Sequence, residues 1–412
     1  VIILLGAGLY FMIGLKGYPL RTLFPAMAGL FKKSTSQGAG EISPFAALST
    51  ALSGQVGTGN LAGVATAITL GGPGAIFWMW ITALFGMALA FAEGVEPWVG
   101  GIVAAIAVFA VIIGGVKSIG RVAETIVPWM AGAYLLMALL AIILNIGDIP
   151  ETFSRIFSGA FGYDAASGGF LGAMIMIAIR SGVARGLFSN EAGQGSTPIA
   201  HAVAQTNDPA AQGRFAMMGT FIDTIVICTM TALVMLTVEG SFVHTLENGT
   251  TEIVKHAWQS DLNGFEMTSG AFAAAFSPEL FGVPIGTLVA SIALILFVFT
   301  TLLTWSYYGE RAITYLYDLV PGSSLQGEKV LHILWRILWC IVIYFGSFAD
   351  LETVWRLGDI SNAVMTLPNI VALLALSGVV FALAKGNRAA GTDHGRETPK
   401  ELLEEITGAP GH

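Results

Sequence analysis

Apolar runs of about 20 residues, the length that crosses a hydrocarbon core as an α-helix, recur along the whole chain. Only helices and closed barrels satisfy every backbone hydrogen bond within lipid, and the sequence lacks the short alternating strands that are typical of a barrel. The composition agrees, because 55% of the 412 residues are hydrophobic and 11% are charged, against about 25% charged residues in soluble domains. The sequence therefore predicts an all-α polytopic membrane protein.

The apolar runs predict ten spans. They cover residues 1–15, 43–70, 75–93, 98–115, 124–146, 168–203, 213–238, 284–308, 330–348 and 362–384. The segment 239–283 is predicted to be the longest loop, and the residues from 385 onward are predicted to form a charged tail.

The basic residues conflict with a simple alternation of ten spans. Lys32 and Lys33 follow the first span, and since basic loops favour the cytoplasmic side, they place the N-terminus outside. Strict alternation then places Lys117 and every later basic cluster outside as well. This predicts that one crossing is missing beside Glu93, unless one predicted span is only a half-crossing. The basic residues predicted to share one face are Lys33, Lys117, Arg214, Arg311 and Lys385.

The span 43–70 contains the stretch SGQVGTGNLAG, from Ser53 to Gly63. Each glycine inside a helix costs about 1 kcal/mol relative to alanine, and a break at membrane depth is tolerated only where protein or a water-filled cavity satisfies the backbone. Broken helices offer carbonyl groups to cations and N–H groups to carboxylates. Close helix packing is the alternative, but Thr58 and Asn60 add polarity that packing does not need. We therefore predict a ligand site here.

A second break is predicted in RSGVARGLFSNEAGQGSTP, from Arg180 to Pro198. One broken helix in each half of a chain indicates an inverted-repeat secondary transporter. Arg185 either has a functional role or extends to the cytoplasmic interface. Asp223, about ten residues into its span, is expected to be functional because carboxylates within membranes are costly. We favour its pairing with Arg180 or Arg185 over a direct role in ion coupling.

In the span 284–308, Thr301 and Trp305 lie four residues apart and therefore on one helical face. The hydroxyls of Thr300 and Thr301 could complete a site of oxygen ligands for sodium, or could instead bond to their own helix. The sequence contains no phosphate loop, nucleophile elbow or metal-ligand cluster, so neither an ATP-driven pump nor an enzyme is predicted.

Several sequence blocks resemble the alanine or glycine:cation symporter family. They are GGPGAIFWMWITALFG from Gly71, VGTGNLAGVATAI, ARGLFSNEAGQGSTPIAHA, FIDTIVICTMTAL and TWSYYGERA. The resemblance implies one N-terminal helix followed by a five-plus-five inverted repeat of the neurotransmitter:sodium symporter type. It also implies symport of alanine or glycine with sodium across the cell membrane, with the N-terminus outside and the C-terminus in the cytoplasm.

The same resemblance implies a binding site. The sodium ligands that it implies are the carbonyls of Ser53 and Val56 and the hydroxyls of Thr300 and Thr301. The substrate-binding residues that it implies are Gly57, Thr58, Gly59, Asn60, Ser181, Asn190, Thr301 and Trp305. Among these, Trp305 would limit the pocket to small side chains.

The chain departs from the family after Phe91-Ala92-Glu93. The family continues there with a loop and a further transmembrane helix, whereas Glu93 is followed here by Gly94-Val95-Glu96. The missing piece would be the third core helix of the first repeat. The implied domains are 1–42 (N-terminal helix and loop), 43–146 (incomplete first repeat), 168–384 (second repeat) and 385–412 (cytoplasmic tail). The alternative function is a transport-deficient receptor, sensor or truncated homologue on this scaffold, and a channel is disfavoured by the two breaks.

Overall fold

The computed structural model describes residues 2–30, 41–93, 115–161, 171–206, 208–246, 249–346 and 351–385. The first helices are α1 (Ile2–Gly14), α2 (Tyr18–Leu30), α3 (Pro44–Gln55), α4 (Val64–Gly71), α5 (Gly74–Glu93), α6 (Gly115–Leu144), α7 (Ile149–Phe161) and α8 (Leu171–Asn190). The later ones are α9 (Thr197–His201), α10 (Pro209–Thr220), α11 (Thr229–Thr237), α12 (Gly264–Ala275), α13 (Ile285–Asp318), α14 (Leu325–Gly346), α15 (Leu351–Ala375) and α16 (Ser377–Ala384). Two π-helical segments, Gly59–Gly63 and Phe221–Cys228, precede α4 and α11.

Four helical segments among the described residues are long and apolar enough to cross a membrane. They are Val116–Leu144, Pro209–Thr237, Ile285–Asp318 and Thr353–Ala375. Helices α1 and α2 meet at 78° and make a fifth if they are taken as one broken span. The prediction of a helical, multi-pass membrane protein is therefore confirmed. Some predictions concern residues outside the described ranges and stay predictions. They are the span at 98–114, the charged tail beyond Lys385, the position of Lys33 and the distance from Glu93 to Gly94.

The structure corrects two boundaries near charged residues. Helix α2 occupies part of the segment predicted as a loop after the first span, and α15 begins at Leu351 rather than at residue 362. The charges of Arg356 and Asp359 made the first turns of α15 resemble a loop in sequence. Asp359 is accommodated in the helix because it forms an ion pair with Arg185.

The predicted loop 239–283 contains regular structure. Strands β1 (Glu239–Thr245) and β2 (Thr251–His256) form an antiparallel hairpin, followed by α12 and by the short hairpin of β3 (Glu279–Leu280) and β4 (Val283–Pro284). The Asn-Gly pair that ends at Gly249 is a typical hairpin turn signal, and Gly249 has a φ of 80°. That signal could have revealed the first hairpin from the sequence.

The two broken helices are held between α5 and α13. Helices α5 and α8 run in the same direction in close contact, since Gly182 faces the Ala75 carbonyl and Gly186 faces Thr82. Helix α13 runs antiparallel to α3, because Thr301 contacts Val56 whereas the later Thr304 contacts Thr50. This packing brings the first break, the second break and the middle of α13 together.

Two of the basic residues predicted to share one face contact partners near the first basic loop. Lys117 Nζ lies 3.7 Å from Glu41 Oε2. Arg214 Nη1 donates a hydrogen bond to the Tyr18 hydroxyl at 2.8 Å. Both contacts lie at the end of the molecule where α3 begins.

Two further basic residues lie at this same end. The antiparallel course of α13 relative to α3 brings Arg311 there. The Phe381 ring of α16 packs against Gly14 at the end of α1, which places Lys385 at that end as well. Four of the five basic residues therefore lie at one end of the molecule, as predicted.

Candidate functional site

The first break is sharp and almost completely buried. Helix α3 starts with the Ser43 hydroxyl accepting a hydrogen bond from the Ala46 N–H at 3.0 Å, and it ends at Gln55. Val56 leaves the helix with φ −74° and ψ 90°, and the chain resumes as the π-helical segment Gly59–Gly63. Thr58 is half-buried, whereas its neighbours in the break are buried.

Asn60 bridges the first break. Its Oδ1 accepts a hydrogen bond from the Gly57 N–H at 2.7 Å, and its Nδ2 donates to Asp223 Oδ1 at 2.6 Å. A short amide side chain thus satisfies the interrupted backbone on one side and holds a carboxylate on the other. The side-chain amide of Asn60, whose polarity identified it in the sequence, is therefore hydrogen-bonded within the protein through both its oxygen and its nitrogen.

The second break consists of a left-handed turn between α8 and α9. Glu191, Gly193 and Gly195 have φ of 56°, 85° and 80°, a region that favours glycine. Asn190 Oδ1 accepts from the Ala192 N–H at 3.0 Å. Gln55 Nε2 donates to the Asn190 carbonyl at 2.9 Å, so the two breaks are joined directly.

Helix α13 contacts both breaks through the face that carries Thr301 and Trp305. The Thr301 hydroxyl donates to the Val56 carbonyl at 3.4 Å, and Trp305 Nε1 donates to Glu191 Oε1 at 2.7 Å. The shared orientation of Thr301 and Trp305 is therefore confirmed. Glu191 also accepts a hydrogen bond from the Ser196 hydroxyl at 2.8 Å and is 1% exposed.

The oxygen atoms predicted to bind sodium are arranged differently at the two threonines. Thr301 faces the Val56 carbonyl, whereas the Thr300 hydroxyl donates to the Leu296 and Phe297 carbonyls of its own helix at 3.0 and 3.1 Å. This is the alternative arrangement that the sequence left open.

Thr304 was missed in the sequence. Its hydroxyl forms a hydrogen bond with the Ser53 hydroxyl and donates to the Thr50 carbonyl at 3.0 Å. Its position three residues after Thr301 is the signal that could have found it, since such residues share a helical face.

The remaining predicted residues separate into two groups. Gly57 and Gly59 lie at close approaches, because a Cβ at Gly57 would clash with the Thr301 hydroxyl and one at Gly59 would lie 2.9 Å from the Ser189 Cα. Ser181 packs against Gly71 at the far end of α4. It is nine residues from Asn190, about 13 Å along the helix, so the structure does not bring it to the breaks.

The family model of the sodium:alanine symporter family matches residues 1–96 and 92–400. The chain belongs to this family. The sodium/alanine symporter AgcS of Methanococcus maripaludis is 37% identical, over 93% of this chain and 93% of the relative. The probable sodium/glutamine symporter GlnT of Bacillus subtilis is 33% identical, over 93% and 87%. The sodium/proton-dependent alanine carrier protein of Bacillus sp. PS3 is 31% identical, over 84% and 87%.

Membership of the sodium:alanine symporter family fixes the general activity. The chain belongs to a family of transporters rather than enzymes, and the activity class of that family is sodium-coupled amino-acid symport, with sodium as the co-transported ion. The two broken helices and the α13 face lie in the sequence blocks that carried the resemblance.

The prediction that Asp223 pairs with an arginine is wrong in this symporter. Asp223 accepts hydrogen bonds from Asn60, Ser189 and Thr224. Arg185 instead donates to both carboxylate oxygens of Asp359 on α15 at 2.6 and 2.5 Å. No sequence pattern indicated that pair, because its residues are far apart in the chain.

Arg185 is also not extended to an interface. It is 3% exposed, and its guanidinium lies 4.1 Å from the centroid of the Trp355 ring. The Trp355 ring in turn packs next to Gly63, 3.7 Å from the position that a Cβ atom on Gly63 would occupy. Arg185 therefore ties α15 to both broken helices, which favours the functional interpretation of this residue.

Proposed function

We propose that the two broken helices form the site of a sodium-coupled symporter for a small neutral amino acid, alanine or glycine, which works by alternating access. The observation that carries this proposal is the contact of α13 with both breaks, through Thr301 at Val56 and Trp305 at Glu191. Breaks of this kind bind substrates and coupling ions in secondary transporters. Two of the relatives described above are named for alanine and one for glutamine.

The proposed sodium site lies between α3 and α13. Its oxygen atoms come from the Val56 carbonyl and from the hydroxyls of Thr301, Thr304 and Ser53. Hard cations prefer such oxygen ligands. Thr300, which the resemblance included, is the weaker candidate because its hydroxyl is used within its own helix.

The proposed amino-acid site lies beside the half-buried Thr58. The Gly57 N–H is taken by Asn60 Oδ1, so we propose that the Gly57 carbonyl and the backbone of Thr58 and Gly59 would bind the amino and carboxylate groups. Asn60 and Asn190 hold the two breaks in place through their side-chain hydrogen bonds, so we propose that they position the site. A substrate contact from Ser181 stays a prediction.

The pair of adjacent threonines provides a matched test of the sodium site. Replacing Thr301 with valine is expected to weaken sodium binding about tenfold, because valine keeps the volume and loses one ligand. The control Thr300→Val should bind sodium almost as the wild type does. Radioactive sodium binding to purified protein measures both, and equal effects of the two substitutions would contradict the assignment.

The proposed limit on substrate size rests on Trp305. Replacing Trp305 with alanine is expected to let leucine and methionine compete with labelled alanine, because the pocket gains the volume of the indole. Trp305→Phe also removes the N–H donor to Glu191 but retains most of the ring, so it should still exclude leucine. A competition panel in which Trp305→Ala excludes leucine and methionine as strongly as the wild type would refute this role.

The ends of α5 and α6 support the proposal that one crossing is missing. Helix α5 runs parallel to α8, so Glu93 lies at the end of the molecule to which α8 and α9 lead. Val203 lies at that end, and its carbonyl accepts a hydrogen bond from the Ile42 N–H at 3.0 Å. Lys117 at the start of α6 contacts Glu41 at that same end. Glu93 and Gly115 thus lie at the same end of the molecule, so the chain between them needs an even number of membrane crossings. The 21 residues between them are long enough for one crossing of about 20 residues but not for two.

The comparisons support a missing segment at the same place. The family match divides into two parts that meet at residues 92–96. The alignment with the Methanococcus relative extends over 455 residues, more than the 412 of the whole chain. We therefore propose an inverted repeat of 43–146 and 168–384 that lacks its third core helix. This observation favours a second candidate function, a transport-deficient receptor or truncated homologue on the same scaffold.

The orientation follows from the basic end. We propose that the end with Lys117, Arg214 and Lys385 faces the cytoplasm of the cell, with the N-terminus outside and the tail 385–412 inside. Uptake of labelled alanine into proteoliposomes under a sodium gradient separates the two candidate functions. Concentrative uptake supports a complete symporter, whereas sodium-dependent binding without uptake supports the receptor.

A further inference from the structure

The short hairpin before α13 carries a large apolar side chain at its turn. Leu280 pairs with Val283 across the hairpin, so Phe281 and Gly282 form a two-residue turn. Phe281 is 93% exposed, more than any other large apolar residue that the structure describes, and the adjacent Leu280 is 50% exposed. The hairpin thus presents two neighbouring apolar side chains at its surface.

The backbone of this turn does not favour phenylalanine. Phe281 has a φ of 57° and Gly282 a φ of 76°. Two-residue hairpin turns with positive φ at both positions strongly prefer Asn-Gly, Asp-Gly or Gly-Gly, and a bulky residue in this region is an outlier. Local folding therefore gains nothing from the aromatic ring, which indicates that the ring contacts something beyond the folded chain.

The base of the hairpin is fixed to the start of α13. The Ile285 N–H donates to the Pro278 carbonyl at 2.9 Å, and the Gly286 N–H donates to the Phe276 carbonyl at 3.1 Å. A Cβ on Gly286 would lie 1.8 Å from the Phe272 carbonyl oxygen, so α12 and α13 are in close contact here. The turn is therefore held at a defined position just before α13.

The length of α13 places this turn at the surface of the membrane. No charged residue occurs from Ile285 to Gly309, and at about 1.5 Å per residue these positions extend over about 37 Å. This length exceeds a hydrocarbon core of about 30 Å but is less than the about 40–45 Å of a bilayer with its headgroups. When the segment is centred in the bilayer, Ile285 lies in the interfacial layer, and the turn precedes it directly.

The exposed apolar side of α13 extends up to the hairpin. Ile285 and Ile292, seven residues apart on one helical face, are 36% and 57% exposed, as expected of a side that faces lipid. Within residues 276–284 the one charged residue is Glu279, so the hairpin offers apolar contact rather than attraction to anionic headgroups. Phenylalanine and leucine are residues that interfacial segments bury about 5–10 Å deep, at the boundary of headgroups and acyl chains.

We propose that Phe281 and Leu280 insert into the interfacial layer of the bilayer, at the end of the molecule opposite Lys117 and Arg214. The partner is the phospholipid itself, and the contact anchors the start of α13 at a fixed depth. This inference does not depend on the proposed transport activity, since it applies equally to a symporter and to a receptor.

Spin labels measure the depth of the turn in phosphatidylcholine vesicles that contain the full chain. The label is attached to Phe281→Cys, with the half-buried Cys340 changed to alanine and the buried Cys228 left in place. The matched positions are Ile292→Cys on the lipid-facing side of α13 and Thr251→Cys, an exposed position at the start of β2. Compared with the label at position 251, the label at position 281 should collide several times more often with oxygen, which dissolves in lipid. It should collide several times less often with a water-soluble nickel complex, and the label at position 292 should show the same preference more strongly.

A label at position 281 that meets the nickel complex as often as the label at position 251 would overturn the proposal. Dipolar broadening with low access to both reagents would identify a second copy of the chain as the partner and would overturn it as well. Leu280→Cys keeps Phe281 and its turn and covers the case in which Phe281→Cys does not fold. Its label should also favour oxygen over the nickel complex, and a preference for the nickel complex would contradict the anchor.

Discussion

Replacing Asn60 with alanine is expected to abolish sodium-dependent amino-acid binding and to lower the free energy of unfolding by about 3–5 kcal/mol. The substitution leaves the Gly57 N–H and the Asp223 carboxylate without their shared partner, and Asn60 is 0% exposed. Buried polar groups that lose their hydrogen-bond partner are costly. Denaturant unfolding in detergent and equilibrium binding of labelled alanine measure the two effects.

Asn145 provides the matched control for this substitution. Among the described residues, its Nδ2 donates to the Ala141 carbonyl one turn earlier, at 2.8 Å, at the end of α6. Asn145→Ala should therefore change the free energy of unfolding by less than about 1 kcal/mol and leave binding intact. Normal alanine binding by Asn60→Ala would remove the first break from the site.

Inserting the segment that we propose to be missing should have the largest effect on transport. When the corresponding segment of the Methanococcus relative is placed between Glu93 and Gly94, sodium-driven alanine uptake is expected to rise at least about tenfold. If the proposal is right, the inserted helix supplies one wall of the site and gives an even number of crossings between Glu93 and Gly115. Uptake into proteoliposomes is the measurement.

A flexible glycine–serine linker of equal length controls for the insertion itself and should leave uptake unchanged. Uptake that is equally high in the original chain and in the chain with the inserted helix would refute the missing crossing. Equal gains from the linker and the helix would show that length alone matters.

The local features of the site could be predicted from the sequence. Glycines clustered with Thr58 and Asn60 identified the first break, because glycine is unfavourable in a helix and polar groups are costly in lipid. The spacing of Thr301 and Trp305 identified the face of α13, because helical periodicity is a local property.

The partners of the charged residues could not be predicted in the same way. Asp223 bonds to Asn60 across 163 positions of the chain, and Arg185 pairs with Asp359 across 174. Such contacts depend on how the helices pack, which periodicity does not encode. The same limit explains the choice between Thr300 and Thr304, since only the position of α3 decides which hydroxyl reaches Ser53.

Binding of radioactive sodium to the purified chain, with and without L-alanine, shows whether the two broken helices form one coupled site. We expect saturable sodium binding whose affinity rises about tenfold when alanine is present, with a reciprocal gain for alanine, because both ligands stabilise the same pair of breaks. Saturable sodium binding that alanine does not alter, or no saturable binding in the wild type, would contradict it.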